Sequence, residues 1–535
     1  MNLPGGQHIV KALTRHGVDA LFTLSGGHVF PIYDGAVKED VRLIDVRHEQ
    51  TAAFAAEAVG KLTGRPGVAV VTAGPGVTNT VSAVTAAYEN GSPLVVIGGR
   101  APAFRWGQGS LQEFDHIPLM APITKHAATI SDQADAVDVV DHAWALSSTP
   151  KQGPVFIDAG IDVQVSPAEI DYPDIDPPLQ SAPDPALIES IAGLIESAER
   201  PVIVAGSAVQ LAGAHVDIRQ IAEKGAIPVF ANGLGRGTLA PTHPMAFSRA
   251  RSVAFKSADL VVVVGTPLDF RLGFGQFGSA KVVHIVDHAA GVADHVDIAA
   301  AAVGDLPGVL AALAETISDA DRNDWVETLR TAEHVKRLED RDLMATDGAP
   351  LHPARIYHDL LPLLDNDTVV IGDGGDFVSF AGRFIDSPQP GRWLDPGPFG
   401  CLGSGPGYAL GAAIAAPESS IVLLAGDGAF GFAGIEIDTF VRHGIDVTVI
   451  IGNNGIWGLE KHPMQAFYGY DVAADLQTGT RYDQLAESLG ATGHFVTSPE
   501  QLRPALEESL SAAGVSVVNV LTDPAIAYPR SANLM

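Results

Sequence analysis

A chain of 535 residues with 46% hydrophobic side chains is long enough for about three domains with cores of their own. Its net charge of −30 argues against nucleic acid or an anionic membrane surface as partner, and the single cysteine, Cys401, excludes an intramolecular disulfide and a cysteine-cluster metal site. No apolar run reaches the roughly 18 residues that cross a bilayer, and no basic segment with an apolar stretch opens the chain, so a cytoplasmic protein is expected.

Residues 1–165 alternate short apolar runs (20–24, 43–46, 68–72 and 93–97) with helical stretches, one of them over 51–59, and read as a doubly wound α/β domain. A stretch rich in proline and aspartate at 166–185 reads as a linker. The segment 186–335 carries strands at 201–206, 260–265 and 282–286 and forms a second α/β unit. A charged helical stretch over 325–343 leads through a linker at 336–349 into a last domain, 350–535, with strands at 369–371, 421–425, 447–451 and 517–521. The fold class is therefore α/β, three doubly wound parallel-sheet domains. Gly273-Phe274-Gly275-Gln276-Phe277-Gly278 fits G-x-G-x-x-G, but a strand follows it where a dinucleotide loop needs a helix.

The strand at 421–425 ends in Gly426-Asp427-Gly428, and after 24 intervening residues the strand at 447–451 is followed by Asn453-Asn454. Helical spacing over 430–443 joins the two, which makes a strand, helix, strand unit with polar residues at strand C-termini, where open α/β sheets bind ligands. Mg²⁺ favours near-octahedral oxygen ligands shared with phosphate, so a carboxylate (Asp427), an amide oxygen (Asn454) and a nearby carbonyl make a suitable half-shell. The flanking glycines let the backbone approach a diphosphate.

This arrangement resembles the signature of the thiamine diphosphate enzymes, and the resemblance extends over nearly the whole chain. It assigns Mg²⁺ to the side chains of Asp427 and Asn454 and the carbonyl of Ile456, and sets Gly426, Gly428, Ala429, Gly455 and Gly375 against the diphosphate. Arg47-His48-Glu49-Gln50 matches the family segment whose glutamate exchanges a proton with the aminopyrimidine ring, which makes Glu49 the catalytic acid/base. The loop at 72–79, with Thr72, Gly74, Pro75 and Asn79, matches the segment that packs on that ring. Leu402, in Gly400-Cys401-Leu402-Gly403, matches the apolar wedge that keeps the cofactor bent. Because Glu49 and Asp427 lie in different domains, the resemblance implies sites shared between subunits of a homodimer or homotetramer.

Several segments are similar to acetolactate synthases, among them Leu111-Gln112-Glu113 and Asp269-Phe270-Arg271, whose arginine would bind the carboxylate of a 2-keto acid. Gly26-Gly27-His28 and Gln112 instead resemble benzaldehyde lyase, where the matching groups move protons at a hydroxyl-bearing intermediate. Asn453-Asn454-Gly455-Ile456 is similar to 2-hydroxyacyl-CoA lyases and oxalyl-CoA decarboxylases, and Glu460 stands near a glutamate that decarboxylating relatives use. The expected activity is decarboxylation of a 2-keto acid followed by carboligation. The alternatives are cleavage of a 2-hydroxyacyl-CoA, carboligation of aldehydes, and an inactive regulatory homologue. Substrates would be small 2-keto acids, aldehydes or acyl-CoAs. Gly233-Leu234-Gly235-Arg236-Gly237 leaves the central domain open to FAD or to an adenine nucleotide.

Overall fold

Parallel strands covered on both faces require near-continuous apolar runs, and Gly67–Val71, Leu260–Val264 and Val447–Asn453 are such runs, buried along their whole length. Each belongs to a separate six-stranded parallel sheet in the computed structural model, which describes residues 2–175 and 182–529. Positions 176–181 of the expected linker lie outside the described residues.

The first sheet runs in the order Arg42–Asp45, Ala20–Thr23, Gly67–Val71, Leu94–Arg100, Pro154–Gly160, His126–Ile130. The third runs Trp393–Leu394, Val369–Asp373, Ile421–Gly426, Val447–Asn453, Val515–Leu521, Thr492–Val496. Counted by appearance in the chain, both follow 2-1-3-4-6-5. The middle sheet follows 3-2-1-4-5-6, the order of dinucleotide-binding folds, with its switch point between Pro201–Ala205 and Leu260–Val264. The glycine-rich stretch at 273–278 is not that fold's phosphate loop, because its turn Phe270–Gly275 leads into the strand Lys281–Val286.

Several boundaries differ from the sequence reading. The helix expected over 51–59 spans Glu49–Thr63, so Glu49 is its first residue, and the preceding His48 caps it by accepting from the Gln50 N–H. The helix expected over 430–443 begins at Asp427, ends at Ala433, and resumes at Ile437–His443 after the turn Gly434–Glu436. The strand Pro167–Glu169, within 166–185, pairs antiparallel with Asn2–Pro4, and the helix Asn323–Met344 continues into 336–349. No helix among the described residues is long and apolar enough to cross a membrane.

The first and third domains share one core. Helix Glu49–Thr63 lies so close to helix Gly405–Ala415 that a Cβ on Gly407 would stand 2.5 Å from that of Phe54, and one on Gly411 would stand 2.1 Å from the Ala55 carbonyl oxygen. Beside this seam the buried Lys61 Nζ donates to Tyr408 Oη (2.8 Å) and pairs with Glu57 (3.1 Å).

Candidate active site

The first half of the site is built at the strand ends of the N-terminal sheet. Glu49 is 7% exposed, and its Oε2 accepts from Asn79 Nδ2 at 2.9 Å, which joins the helix start to the 72–79 loop. Thr72 bridges two other expected residues, since its hydroxyl lies 3.3 Å from His28 Nδ1 and donates to Gln112 Oε1 at 3.3 Å. Burial holds the His28 imidazole below its ordinary value, against the bond with Gln112, which raises it. Gly74 has φ +56°, and a Cβ there would meet Gln112, so the loop passes close to Gln112 only because residue 74 is glycine. The Gly74 N–H donates to His116 Nε2 (3.0 Å), which places the ring proton on Nδ1, facing Asp158 (2.8 Å). Sequence reasoning passed over His116 and Asp158, both fully buried, because each acts on a backbone or side chain far along the chain.

The second half forms at the strand ends of the C-terminal sheet and gathers the expected metal and diphosphate residues. Asp427 is 3% exposed; Oδ2 accepts from the Gly455 N–H (2.7 Å) and Oδ1 from Gly428 (3.0 Å), while Asn454 Oδ1 accepts from the Ile456 N–H (3.1 Å). Burial raises the Asp427 carboxyl to about 6. A Cβ on Gly426 would find nothing within 4 Å, so open space lies against the backbone beside this carboxylate. A desolvated carboxylate, an amide oxygen, a backbone carbonyl and glycine-lined space suit a diphosphate chelating a hard divalent cation. No group of three or more His, Cys, Asp or Glu residues suited to a metal occurs among the described residues, and an oxygen half-shell with one carboxylate does not need one. The turn at Gly374 and Gly375 adjoins this loop, since a Cβ on Gly374 would stand 3.4 Å from that of Ala429.

Leu402, half-buried, is held in place by an acid the sequence reading missed. Asp373, fully buried at the end of Val369–Asp373, accepts from the Gly403 (3.2 Å) and Gly405 (2.8 Å) N–H groups. Burial, opposed by those bonds, raises it to about 7. The folded state therefore keeps a proton that the unfolded chain releases near pH 4. Stability from this group is full below about pH 4 and is lost as pH rises through 7. Asp373→Asn, neutral throughout, is expected to gain on the wild type by up to about 4 kcal/mol between pH 4 and 8. Unfolding of the cofactor-free proteins across that range checks this, and parallel curves would refute it. Cys401 beside it is a poor nucleophile, its thiol pushed up to about 11 by burial.

Glu460 follows the metal loop, four residues after Ile456, and Arg271 belongs to the central domain. Glu460 is exposed in the first turn of Gly458–Tyr468. Arg271 is chelated by its own Asp269 (2.6 Å from Nη2, 3.0 and 3.1 Å from Nε). It lines a cleft of ≈ 890 Å³ between the central and C-terminal domains, with Arg236, Arg249, Arg251, Arg337 and Arg383. Among these, Arg251 has no carboxylate within ion-pair distance among the described residues, and burial together with Arg236 and Arg271 lowers it to about 10. A second cavity of ≈ 260 Å³ sits at the switch point of the middle sheet, against Ser207, Gly233, Gly265, Thr266 and Asp287. No hydrogen bond or ion pair joins Glu49 to the Asp427 loop among the described residues.

Comparison with known proteins bears on all three domains. The family descriptions "Thiamine pyrophosphate enzyme, N-terminal TPP binding domain", "central domain" and "C-terminal TPP binding domain" match residues 3–119, 188–313 and 373–520. A "Probable acetolactate synthase" of Mycobacterium bovis and the "Acetolactate synthase large subunit IlvG" of Mycobacterium tuberculosis are each 50% identical over 534 residues, 99% of this chain and 97% of theirs. The human "2-hydroxyacyl-CoA lyase 2" is 34% identical over 534 residues, covering 91% of this chain and 84% of its own.

Proposed function

Since the chain belongs to the thiamine pyrophosphate enzymes, we propose that it removes carbon dioxide from a 2-keto acid and joins the remaining fragment to a second carbonyl compound, as an acetolactate synthase does. The observation that carries this is the full-length likeness to two acetolactate synthases in a chain with both half-sites intact. The cofactor supplies an electron sink for breaking and making the bond next to a carbonyl. Asp427, Asn454 and the Ile456 carbonyl would hold Mg²⁺, and Gly375, Gly426, Gly428, Ala429 and Gly455 would lie along the diphosphate, with open space at Gly426. Glu49, oriented by Asn79, would hold and return the proton of the aminopyrimidine ring, which Thr72, Gly74 and Pro75 would flank and Leu402 would support. A His28 kept neutral by burial, with Gln112 and Thr72 beside it, takes and returns the proton of the substrate hydroxyl. Arg271 would bind the carboxylate of the 2-keto acid, and Glu460 would handle that carboxylate or its proton. Each site is completed by a second copy of the chain, in a homodimer or a homotetramer.

The cationic cleft favours a second reading, cleavage of a 2-hydroxyacyl-CoA. A chain of net charge −30 that gathers arginines around a cleft, two of them (Arg236 and Arg251) half-buried with no ion pair among the described residues, offers a place for the phosphates of an acyl-CoA. Incubation with pyruvate at saturating thiamine pyrophosphate and Mg²⁺ is expected to yield acetolactate. Its absence alongside cleavage of a hydroxyacyl-CoA would replace the first reading by the second. The switch-point cavity is assigned to a nucleotide, either FAD or an adenine nucleotide. The visible absorption of the purified protein separates the two, and a preparation that releases no nucleotide on denaturation would sink the assignment.

A further inference from the structure

Glu436 ties the metal-loop domain to the segment that carries Glu49. It lies in the turn Gly434–Glu436, between the helix opened by Asp427 and the helix Ile437–His443, and is 1% exposed. Its bonds to backbone amides leave its own domain. Oε1 accepts from the N–H groups of Arg47 and His48 (3.1 Å each), Oε2 also lies 3.1 Å from the Arg47 N–H, and Thr439 Oγ1 donates to Oε2. The next residue along is Glu49.

The same helix holds the approach to that segment. Arg442 Nη1 pairs with both oxygens of Asp45 (2.8 and 3.0 Å), His443 Nε2 lies 3.1 Å from the Asp45 carbonyl oxygen, and Arg47 reaches Asp438 at 3.6 Å. Those contacts are partly exposed and screened by solvent, whereas Glu436 is dry. A buried carboxylate whose acceptor sites go to backbone amides of another domain holds a loop, and this loop sets where the Glu49 helix begins. Among the described residues Asn79 is the side chain that holds the tip of Glu49, so its backbone placement decides its reach.

We propose that Glu436 is a positioning residue for Glu49, holding residues 47–49 so that the Glu49 carboxylate meets the aminopyrimidine ring. The inference rests on the reading of Glu49 given above. Displacing a catalytic group by about 1 Å can cost about 100-fold in rate. In Glu436→Gln the amide oxygen can still accept from both backbone amides, but the NH2 group that replaces Oε2 turns a donor toward the Arg47 N–H and no longer accepts from Thr439, and the segment loosens.

Two readouts test this on the full chain. Hydrogen exchange by mass spectrometry, on the protein without cofactor, is expected to show faster exchange over residues 45–50 in Glu436→Gln than in the wild type. With thiamine pyrophosphate and Mg²⁺ bound, exchange of the cofactor C2 proton for deuterium is expected to slow about 100-fold, with cofactor affinity within about twofold of wild type. Thr439→Val, which removes one donor to Glu436 and keeps the side-chain volume, is expected to show the same pattern at lower amplitude and stands in if Glu436→Gln fails to fold. Unchanged C2 exchange in a folded variant, or a loss matched by an equal loss of cofactor affinity, would overturn the inference while leaving Glu49's role in place. A wild-type protein that binds the cofactor without exchanging C2 would overturn both.

Discussion

Glu49→Gln is expected to lower turnover by about 10²- to 10⁴-fold, the range over which a positioned acid or base contributes, while binding of thiamine pyrophosphate stays near wild type. The substitution is close to isosteric. The amide oxygen it introduces can still accept from Asn79 Nδ2, which lies 2.9 Å from the carboxylate being replaced, so helix start and loop keep their contact. On the role proposed for Glu49, what disappears is a group that holds and returns a proton on a side chain only 7% exposed, where water cannot easily substitute. Steady-state turnover of pyruvate beside calorimetric titration of the cofactor measures the two effects separately. Turnover within tenfold of wild type would remove Glu49 from its role.

Asp427→Ala acts on the other half and is expected to fail at binding. It withdraws one oxygen from the cation and leaves the N–H groups of Gly428 and Gly455, bonded at 3.0 and 2.7 Å in the wild type, without their acceptor. Even residues that only support a metal's ligands cost 10- to 100-fold in affinity when removed, so a loss of at least about 100-fold in Mg²⁺-dependent cofactor affinity is expected. Titration of the cofactor at fixed Mg²⁺ gives the number, and affinity within about tenfold would move the cation elsewhere. Mixing the two variants tests whether subunits share sites. If Glu49 of one chain meets Asp427 of another, a randomly mixed dimer population regains about a quarter of wild-type sites. If each chain is self-sufficient, mixing restores nothing.

What the sequence revealed follows from how each residue does its work. Asp427 and Asn454 stand at the ends of two adjacent apolar strands, in a local pattern whose spacing repeats the geometry of the sheet, and the Gly455 N–H beside Asn454 bonds the Asp427 carboxylate. Asp373, His116 and Glu436 work through backbone amides or side chains 30 to 42 positions away in the first two cases and 388 to 389 in the third. Spacing carries no trace of such partners. Asp269, two places from Arg271, chelates it, an ion pair that a substrate carboxylate would have to displace. Some misses had a visible cause. The helix breaks at Ala433, whose φ of −140° and ψ of 17° leave the helical region, and the chain there passes so near the Phe430 ring that a Cβ on Gly434 would stand 2.6 Å from it, a packing constraint that helical periodicity does not encode. The edge strand His126–Ile130 is half-exposed along most of its length, so it lacked the continuous apolar run that marked the buried strands.

The arginine-lined cleft has a kinetic meaning in a chain of net charge −30. Over most of its surface the molecule turns anionic solutes away, and an encounter there is brief. At the cleft six arginines outnumber the lining acids Asp340 and Asp386, a local excess of positive charge that low-dielectric walls would concentrate. An approaching carboxylate or phosphate would feel it only within about 8 Å at physiological ionic strength. The charge distribution of the chain would then favour those collisions of an anion that begin at the cleft.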